Sequence, residues 1–338
     1  MIVVMDPNSS REQIERVVQA LHEMGASSHV IQAADRSVIE LLEAGPRLDR
    51  ARLASLPRVE QILERPVPIL AVGRKPGEQT RAVPLGPRAV VGGPRLAVIA
   101  GPCSVENEDR LLETAAAVAE AGAVGLRGGA FKPRSSPYTF QGHEERGLEM
   151  LARAREKTGL AVVTEVMCPE HVSRVQPYAD VLQVGSRNMH NTPLLNAVGT
   201  QRKPVLLKRG WSATLEEFLL AAEYVLSAGN PDVILCERGI RTYEEYVRNT
   251  LALAIVPEIK RISRLPIIVD PSHGTGRAHL VPPMCNAAIA CGADGLLIEV
   301  HVSPDRAWSD GEQTLDLEQF RSVMASLQRL AQVCGREL

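Results

Sequence analysis

From Leu96 onward the chain alternates short runs of valine, isoleucine and leucine with longer amphipathic stretches. The apolar runs are LAVIAG, AVGLRG, AVVTEV, DVLQVG, PVLLKRG, DVILCERG, PIIVDPSH and GLLIEVH. Between them lie helical patterns such as DRLLETAAAVAEAG, LEEFLLAAEYVLSAG and HLVPPMCNAAIACG, closed by a glycine that suits a helix C-terminus. Near-continuous apolar strands alternating with helices predict a parallel sheet covered by helices. Eight such units over about 240 residues fit a (β/α)8 TIM barrel better than an open doubly wound sheet. No G-x-G-x-x-G follows the first strand and no Walker A sequence occurs, and SHGTGR, Ser272 to Arg277, is only a weak phosphate-loop signal.

The first 65 residues follow another pattern. A strand-like IVVM precedes the amphipathic REQIERVVQALHEMG, with Ser9 and Ser10 as N-cap candidates. SHVIQAA and SVIELLE, a short helical ARLASL and a final VEQILE complete the order β-α-β-β-α-β. That order predicts a small ferredoxin-like module over residues 1–65. Residues 66–94 are dense in proline and glycine and read as a linker with room for a hairpin, which leaves 95–338 for the barrel.

Composition narrows the function classes. In 338 residues, 45% hydrophobic and 23% charged, the formal net charge is −2, so no global field favours nucleic acid or a membrane surface. No apolar run reaches the roughly 20 residues of a membrane span, and Met1 leads into IVVMDPNSS rather than a signal peptide. Cytoplasm is the expected compartment. Six cysteines without a C-x-x-C pair suggest reduced thiols. Cys236 and Cys291 read as core, and Cys168, Cys285 and Cys334 as packing or surface thiols.

In such a barrel the active site lies at the C-terminal ends of the strands. Those ends are heavily polar: Cys103, Arg127, Glu165, Arg187, Lys208 with Arg209, Glu237 with Arg238, Asp270 with His273, and Glu299 with His301. One charged strand end is ordinarily a solvated loop, but a ring of them at one mouth is a candidate site. Arg127, Lys132, Arg134, Arg187, Lys208 and Arg238 would give a cationic lining for anionic, phosphorylated ligands. Salt bridges to Glu165, Glu237 or Asp270 are the plainer use for any one of them. Cys103, His273, Glu299 and Asp310 of WSDGEQ offer a thiolate, an imidazole and carboxylates, a mixed donor set for a divalent transition metal. Trp211 and Trp308 follow strands and suit either the mouth or ordinary packing.

AGPCSVE, LRGGAFKPRSSPYTFQG, VGSRN, VLLKRG, ILCERGIRT, VDPSHGTGR, IEVH and SDGEQ resemble, in order and spacing, the 3-deoxy-D-arabino-heptulosonate 7-phosphate (DAHP) synthases of the type I beta subclass. The resemblance runs from about Leu96 to the C-terminus. It implies a (β/α)8 barrel that condenses phosphoenolpyruvate with erythrose 4-phosphate and releases phosphate, the first step of the shikimate pathway to the aromatic amino acids. It also implies a divalent ion (Mn2+, Fe2+, Co2+ or Zn2+) on Cys103, His273, Glu299 and Asp310. Phosphoenolpyruvate would lie on Arg127, Lys132, Arg187, Lys208 and Arg238. Erythrose 4-phosphate would meet the KPRSS segment, with Pro133, Arg134 and Ser135, where Ser135 replaces the threonine of many members. Catalytic roles fall on Lys132, His273 and Cys103. The first 65 residues resemble the ferredoxin-like, ACT-like extension of some members, where an aromatic amino acid binds and closes the barrel mouth; an oligomerisation module is the plainer reading. The family points to a homotetramer.

Three rivals stand beside this. The sister enzyme making 3-deoxy-D-manno-octulosonate 8-phosphate uses arabinose 5-phosphate on the same barrel, but typically carries an alanine-asparagine-arginine-serine run where this chain has PRSSP. A Schiff-base aldolase would use Lys208 as its nucleophile. A non-catalytic sensor would have no need for the intact polar ring.

Overall fold

The computed structural model describes residues 1–32, 36–43, 45, 48–63, 71–75, 77–132, 136 and 138–338. The chain divides into two compact units: Met1–Ala71 with Ser227–Gly229, and Val72–Leu226 with Asn230–Leu338.

The first unit contains β1 (Ile2–Met5), α1 (Arg11–Glu23), β2 (Ser27–Gln32), β3 (Ser37–Glu43), α2 (Arg50–Ala54) and β4 (Val59–Leu63). The strands form an antiparallel sheet in the order β2-β3-β1-β4, the ferredoxin-like arrangement. Ser10, rather than Ser9, caps α1: its hydroxyl accepts from Gln13 N–H while the Gln13 side chain takes the Ser10 N–H. Val3, Met5, Ile14, Val17, Leu21, Ile39 and Leu53 make one buried cluster between helix and sheet.

The second unit opens with a hairpin, β5 (Val83–Leu85) and β6 (Ala89–Val91). Eight parallel strands follow and close into a barrel: β7 (Ala97–Gly101), β8 (Gly125–Arg127), β9 (Ala161–Val166), β10 (Val181–Val184), β11 (Val205–Lys208), β12 (Val233–Glu237), β13 (Ile267–Val269) and β14 (Gly295–Glu299). Pairing of β14 with β7 seals it. The connecting helices are α3 (Glu108–Glu120), α4 (Glu145–Thr158), α5 (Pro169–Val175), α6 (Thr192–Gly199), α7 (Leu215–Ser227), α8 (Ile255–Ile262), the short α9 (Pro271–Thr275), α10 (Val281–Ala290) and the terminal α11 (Leu317–Val333).

Val83, Leu85 and Val91 of the hairpin join Ala97, Ile99, Ala161, Val163, Val181, Leu206, Ile234, Cys236, Ile268 and Leu297 in one cluster. The hairpin thus plugs the N-terminal end of the barrel, and an apolar interior separates it from the mouth. Cys236 and Cys285 are buried and Cys334 exposed; Cys291, expected in the core, is only half-buried at the end of α10.

Candidate active site

Side chains along a strand alternate between the barrel interior and the helical layer. Residues of the inner cluster therefore mark the inward column of each strand, and the next inward position lies one pleat nearer the mouth. Those positions are Glu165 above Val163, Gln183 above Val181, Lys208 above Leu206, Arg238 above Cys236, Asp270 above Ile268 and Glu299 above Leu297. A cavity of about 310 Å³ opens there, lined among others by Cys103, Arg127, Lys132, Glu165, Arg187, Lys208, Arg238, His273 and Asp310. A larger, mostly apolar cavity of about 830 Å³ lies beside the hairpin, but among the described residues no acidic, cysteine or histidine side chain lines it.

Arg209 and Glu237 have the opposite parity and do not face the mouth, contrary to the expectation from strand ends. Arg209 Nη1 donates to Glu237 Oε2 at 2.9 Å, and Glu237 Oε1 accepts the Gly239 N–H at 2.6 Å. His301 also turns aside, its Nε2 3.3 Å from Glu106 Oε2 and its Nδ1 accepting from Ser303 N–H.

Backbone pairing continues past the barrel where Cys103 and Lys132 sit. Val105 N–H donates to Gly129 O and Gly129 N–H to Cys103 O, so the loops after β7 and β8 run side by side. Lys132 Nζ reaches Cys103 O at 2.8 Å and its Sγ at 3.1 Å. Glycine at 129 suits this approach, because a Cβ would lie 2.9 Å from the Cys103 carbonyl oxygen and 2.6 Å from Lys132 Cδ. Pro133, Arg134 and Ser135 lie outside the described residues.

The ligand atoms of Cys103, His273, Glu299 and Asp310 all lie within 4.8 Å of one another. Cys103 Sγ donates to Asp310 Oδ2 at 3.0 Å, and His273 Nε2 is 3.3 Å from Glu299 Oε1. His273 Nδ1 stands 2.8 Å from Asp270 Oδ2 without an aligned hydrogen bond, and the other ring nitrogen, Nε2, lies toward the cluster. Asp310 has φ 53°, a left-handed conformation that aspartate adopts more readily than most residues. Burial and the charge of Glu299 push the Cys103 thiol up to about 11 against the pull of Lys132. Burial holds His273 below its ordinary value in spite of Asp270 and Glu299, so the ring is neutral at pH 7. Burial works the other way on Asp310, but His273, Cys103 and Arg248 outweigh it and keep the carboxylate ionised.

Glu299 Oε1 and Arg127 Nη1 are buried and face each other at 3.0 Å without an aligned hydrogen bond. With one thiol, one neutral imidazole and two carboxylates, the donor set fits a divalent transition ion, whose arrival would displace the thiol proton.

The cationic residues divide. Lys208 Nζ donates to Asp270 Oδ2 at 2.5 Å, so the plainer salt-bridge reading applies to it as well as the mouth-lining one. Arg187 stacks on Trp211, its guanidinium carbon 4.9 Å from the ring centre, with Arg241 at 4.6 Å. Arg238 is buried, and its Nε has no hydrogen-bond partner among the described residues. Trp308 packs edge-on against Phe140 at 4.9 Å. Sequence reasoning missed Arg248, Gln183 and Gln313; strand parity was a usable signal for Gln183, whereas the other two lie in loops.

The loops bearing Cys103 and Asp310 are joined by a buried clamp. Ser104 and Ser309 hydroxyls meet at 2.6 Å, and Glu106 accepts from Trp308 N–H at 2.5 Å and Arg110 Nη1 at 2.9 Å. Burial raises the Glu106 carboxyl, but His301, Trp308 N–H and Arg110 together hold it below its ordinary 4.5. A depressed folded value stabilises the fold above the unfolded value, and that stability is lost as pH falls through the folded one. Below pH 4.5 the melting temperature should therefore fall more steeply for the wild type than for Glu106→Gln. Parallel curves would contradict the clamp.

Comparison with known proteins agrees with this architecture. Residues 83–334 match the DAHP synthetase I family, and residues 1–64 match the DAHP synthase ferredoxin-like domain. The chain is 44% identical over 335 residues to the phospho-2-dehydro-3-deoxyheptonate aldolase of Thermotoga maritima, covering 99% of both chains. It is 32% identical over 251 residues to the 2-dehydro-3-deoxyphosphooctonate aldolase of Nitratidesulfovibrio vulgaris strain DP4, covering 69% of this chain and 91% of that one. A crystal structure of the Thermotoga maritima DAHP synthase matches with a TM-score of 0.80 over 99% of this chain and 98% of that one, at 44% identity. A truncated form of 3-deoxy-D-arabino-heptulosonate 7-phosphate synthase from that organism matches with a TM-score of 0.73 and 46% identity, covering 79% and 97%. With a closed eight-stranded barrel, a separate ferredoxin-like unit and these matches in agreement, the chain belongs to the DAHP synthetase I family.

Proposed function

We propose that this enzyme condenses phosphoenolpyruvate with erythrose 4-phosphate to give 3-deoxy-D-arabino-heptulosonate 7-phosphate and phosphate, with a divalent metal on Cys103, His273, Glu299 and Asp310. The observation that carries the reading is the meeting of those four ligand atoms at a cavity that Arg127, Lys132, Arg187, Lys208 and Arg238 also line. Full-length similarity to a phospho-2-dehydro-3-deoxyheptonate aldolase supports the choice of product over the octulosonate enzyme, whose relatives align with only part of the chain.

When bound, the ion supplies Lewis acidity that polarises and orients the aldehyde of the tetrose. The protein's own groups do the rest. Arg238, buried with an Nε that has no hydrogen-bond partner among the described residues, is prepared for an anion, and Arg187 is held by its stack on Trp211. With Arg127 and Lys208 they bind the carboxylate and phosphate of phosphoenolpyruvate and fix its enol carbon toward the aldehyde. Carbon–carbon bond formation leaves a cationic C2 that water attacks, and collapse expels phosphate with C–O cleavage. Lys132, on the Cys103 side of the cavity, is the group that protonates the developing alkoxide. Erythrose 4-phosphate is assigned to Pro133, Arg134 and Ser135 by the motif.

Protein supplied with both substrates and Mn2+ should release one phosphate for each seven-carbon 3-deoxy sugar phosphate, and with 18O in the bridging position of phosphoenolpyruvate the label should leave with phosphate. Phosphate free of label would contradict the cleavage step; no sugar product would contradict the function. Lys132→Met should lower kcat by about 10²–10⁴, the usual worth of a general acid. Near-normal turnover would remove Lys132 from that role.

We assign catalysis to residues 95–338 and regulation to residues 1–65, with an aromatic amino acid as the inhibitor, a homotetramer as the working form and the cytoplasm as its compartment, at the head of the shikimate pathway. Among the described residues no helix is long and apolar enough to cross a membrane.

A further inference from the structure

We propose that Arg248 and Gln313 form a bracket that fixes Glu299 and Asp310 as one-oxygen metal ligands; this rests on the metal reading above. Gln313 Nε2 donates to Glu299 Oε2 at 2.5 Å, and its Oε1 accepts from Arg248 Nη1 at 2.8 Å. The same Nη1 donates to Asp310 Oδ1 at 3.1 Å. One oxygen of each carboxylate is thereby engaged from behind. The other two face the cluster, Glu299 Oε1 toward His273 Nε2 and Asp310 Oδ2 toward Cys103 Sγ.

The bracket is itself anchored to the turn that carries the histidine. Arg248 N–H donates to Thr275 O, Asn249 N–H to Gly274 O, and Asn249 Nδ2 to His273 O at 3.0 Å. Gly276 makes this approach possible, since a Cβ there would lie 2.5 Å from Arg248 Cβ. Three of the four proposed ligands are therefore held in register through Arg248 and its neighbour. Arg248 is 41% exposed and its partner Asp310 25%, so as a surface ion pair it adds little to folding. Its consequence is to set the spacing of the ligands. Arg248 and Gln313 are positioning residues, because they act on the ion through Glu299 and Asp310.

The test measures Mn2+ affinity of the full chain by competition with a chelating dye, for the wild type, Arg248→Met, Arg248→Lys, Gln313→Met and the double Arg248→Met/Gln313→Met. Each methionine variant should weaken Mn2+ binding by roughly 10–100-fold, the usual worth of such partners. The double variant should lose little more than either single one, because the two act as one unit. Arg248→Lys, which keeps the charge and loses the planar fork, should fall between. Metal-free melting temperatures should be unchanged for the Arg248 variants, and lost turnover should return as Mn2+ is raised. An unchanged Mn2+ affinity in all variants overturns the bracket, and a raised KM for a substrate with unchanged affinity makes Arg248 a substrate contact instead. If Cys103→Ser binds Mn2+ as tightly as the wild type, the metal reading fails and the bracket with it.

Discussion

Asp270→Ala should be the most damaging single substitution for the fold and the site together. Asp270 is fully buried, pairs with Lys208 at 2.5 Å, stands 2.8 Å from His273 Nδ1 and accepts the His273 N–H at 2.9 Å. Burial opposes its charge, yet His273 and Lys208 hold the carboxyl well below the usual range. Alanine leaves the Lys208 ammonium buried without its counter-charge, a loss of about 3–5 kcal/mol. It also removes the carboxylate that caps the His273 backbone N–H and lies beside the ring, which should cost a further 10–100-fold in metal affinity. Urea unfolding and Mn2+ titration read the two effects separately. Lys208→Met/Asp270→Leu should recover much of the stability and none of the activity, because both charges are then gone. Wild-type stability in Asp270→Ala would show that the buried pair contributes nothing.

Cys103→Ser should remove most metal-dependent turnover while leaving the fold intact. Serine keeps the shape of the side chain with a smaller, closer-in atom and keeps a hydrogen on the atom facing Asp310, but it gives up the soft donor that complements the imidazole and carboxylates. The Lewis-acid contribution amounts to several kcal/mol, about a thousandfold in rate. Turnover at saturating substrate, with Mn2+ at the concentration that just saturates the wild type, should fall by about that factor, and raising Mn2+ further should restore only part of it. A change of less than tenfold would mean that Cys103 is a buried thiol and not a ligand.

The barrel and the ferredoxin-like module were legible because their elements are strongly periodic. Every barrel strand falls within one of the eight apolar runs, and the small sheet follows the predicted order. Listing strand ends gathered too much, since successive residues face opposite sides. Lys208 and Arg238 face the mouth, while Arg209 and Glu237 pair with each other away from it. Strict alternation from the buried residues would have separated the pairs and added Gln183. Arg248 and Gln313 carried no comparable signal. They meet Asp310 and Glu299 through loops, and Arg248 is 62 residues from Asp310 in sequence. Nothing in the local pattern around YVRNT records that contact.

The most direct test of the account follows phosphoenolpyruvate consumption by the purified chain, with erythrose 4-phosphate or arabinose 5-phosphate, before and after chelation and again after Mn2+ is returned. Consumption with the tetrose alone, lost on chelation and restored by the ion, is the predicted result. Consumption with the pentose alone would identify the octulosonate reaction, and metal-independent consumption or none with either sugar would contradict the central claim.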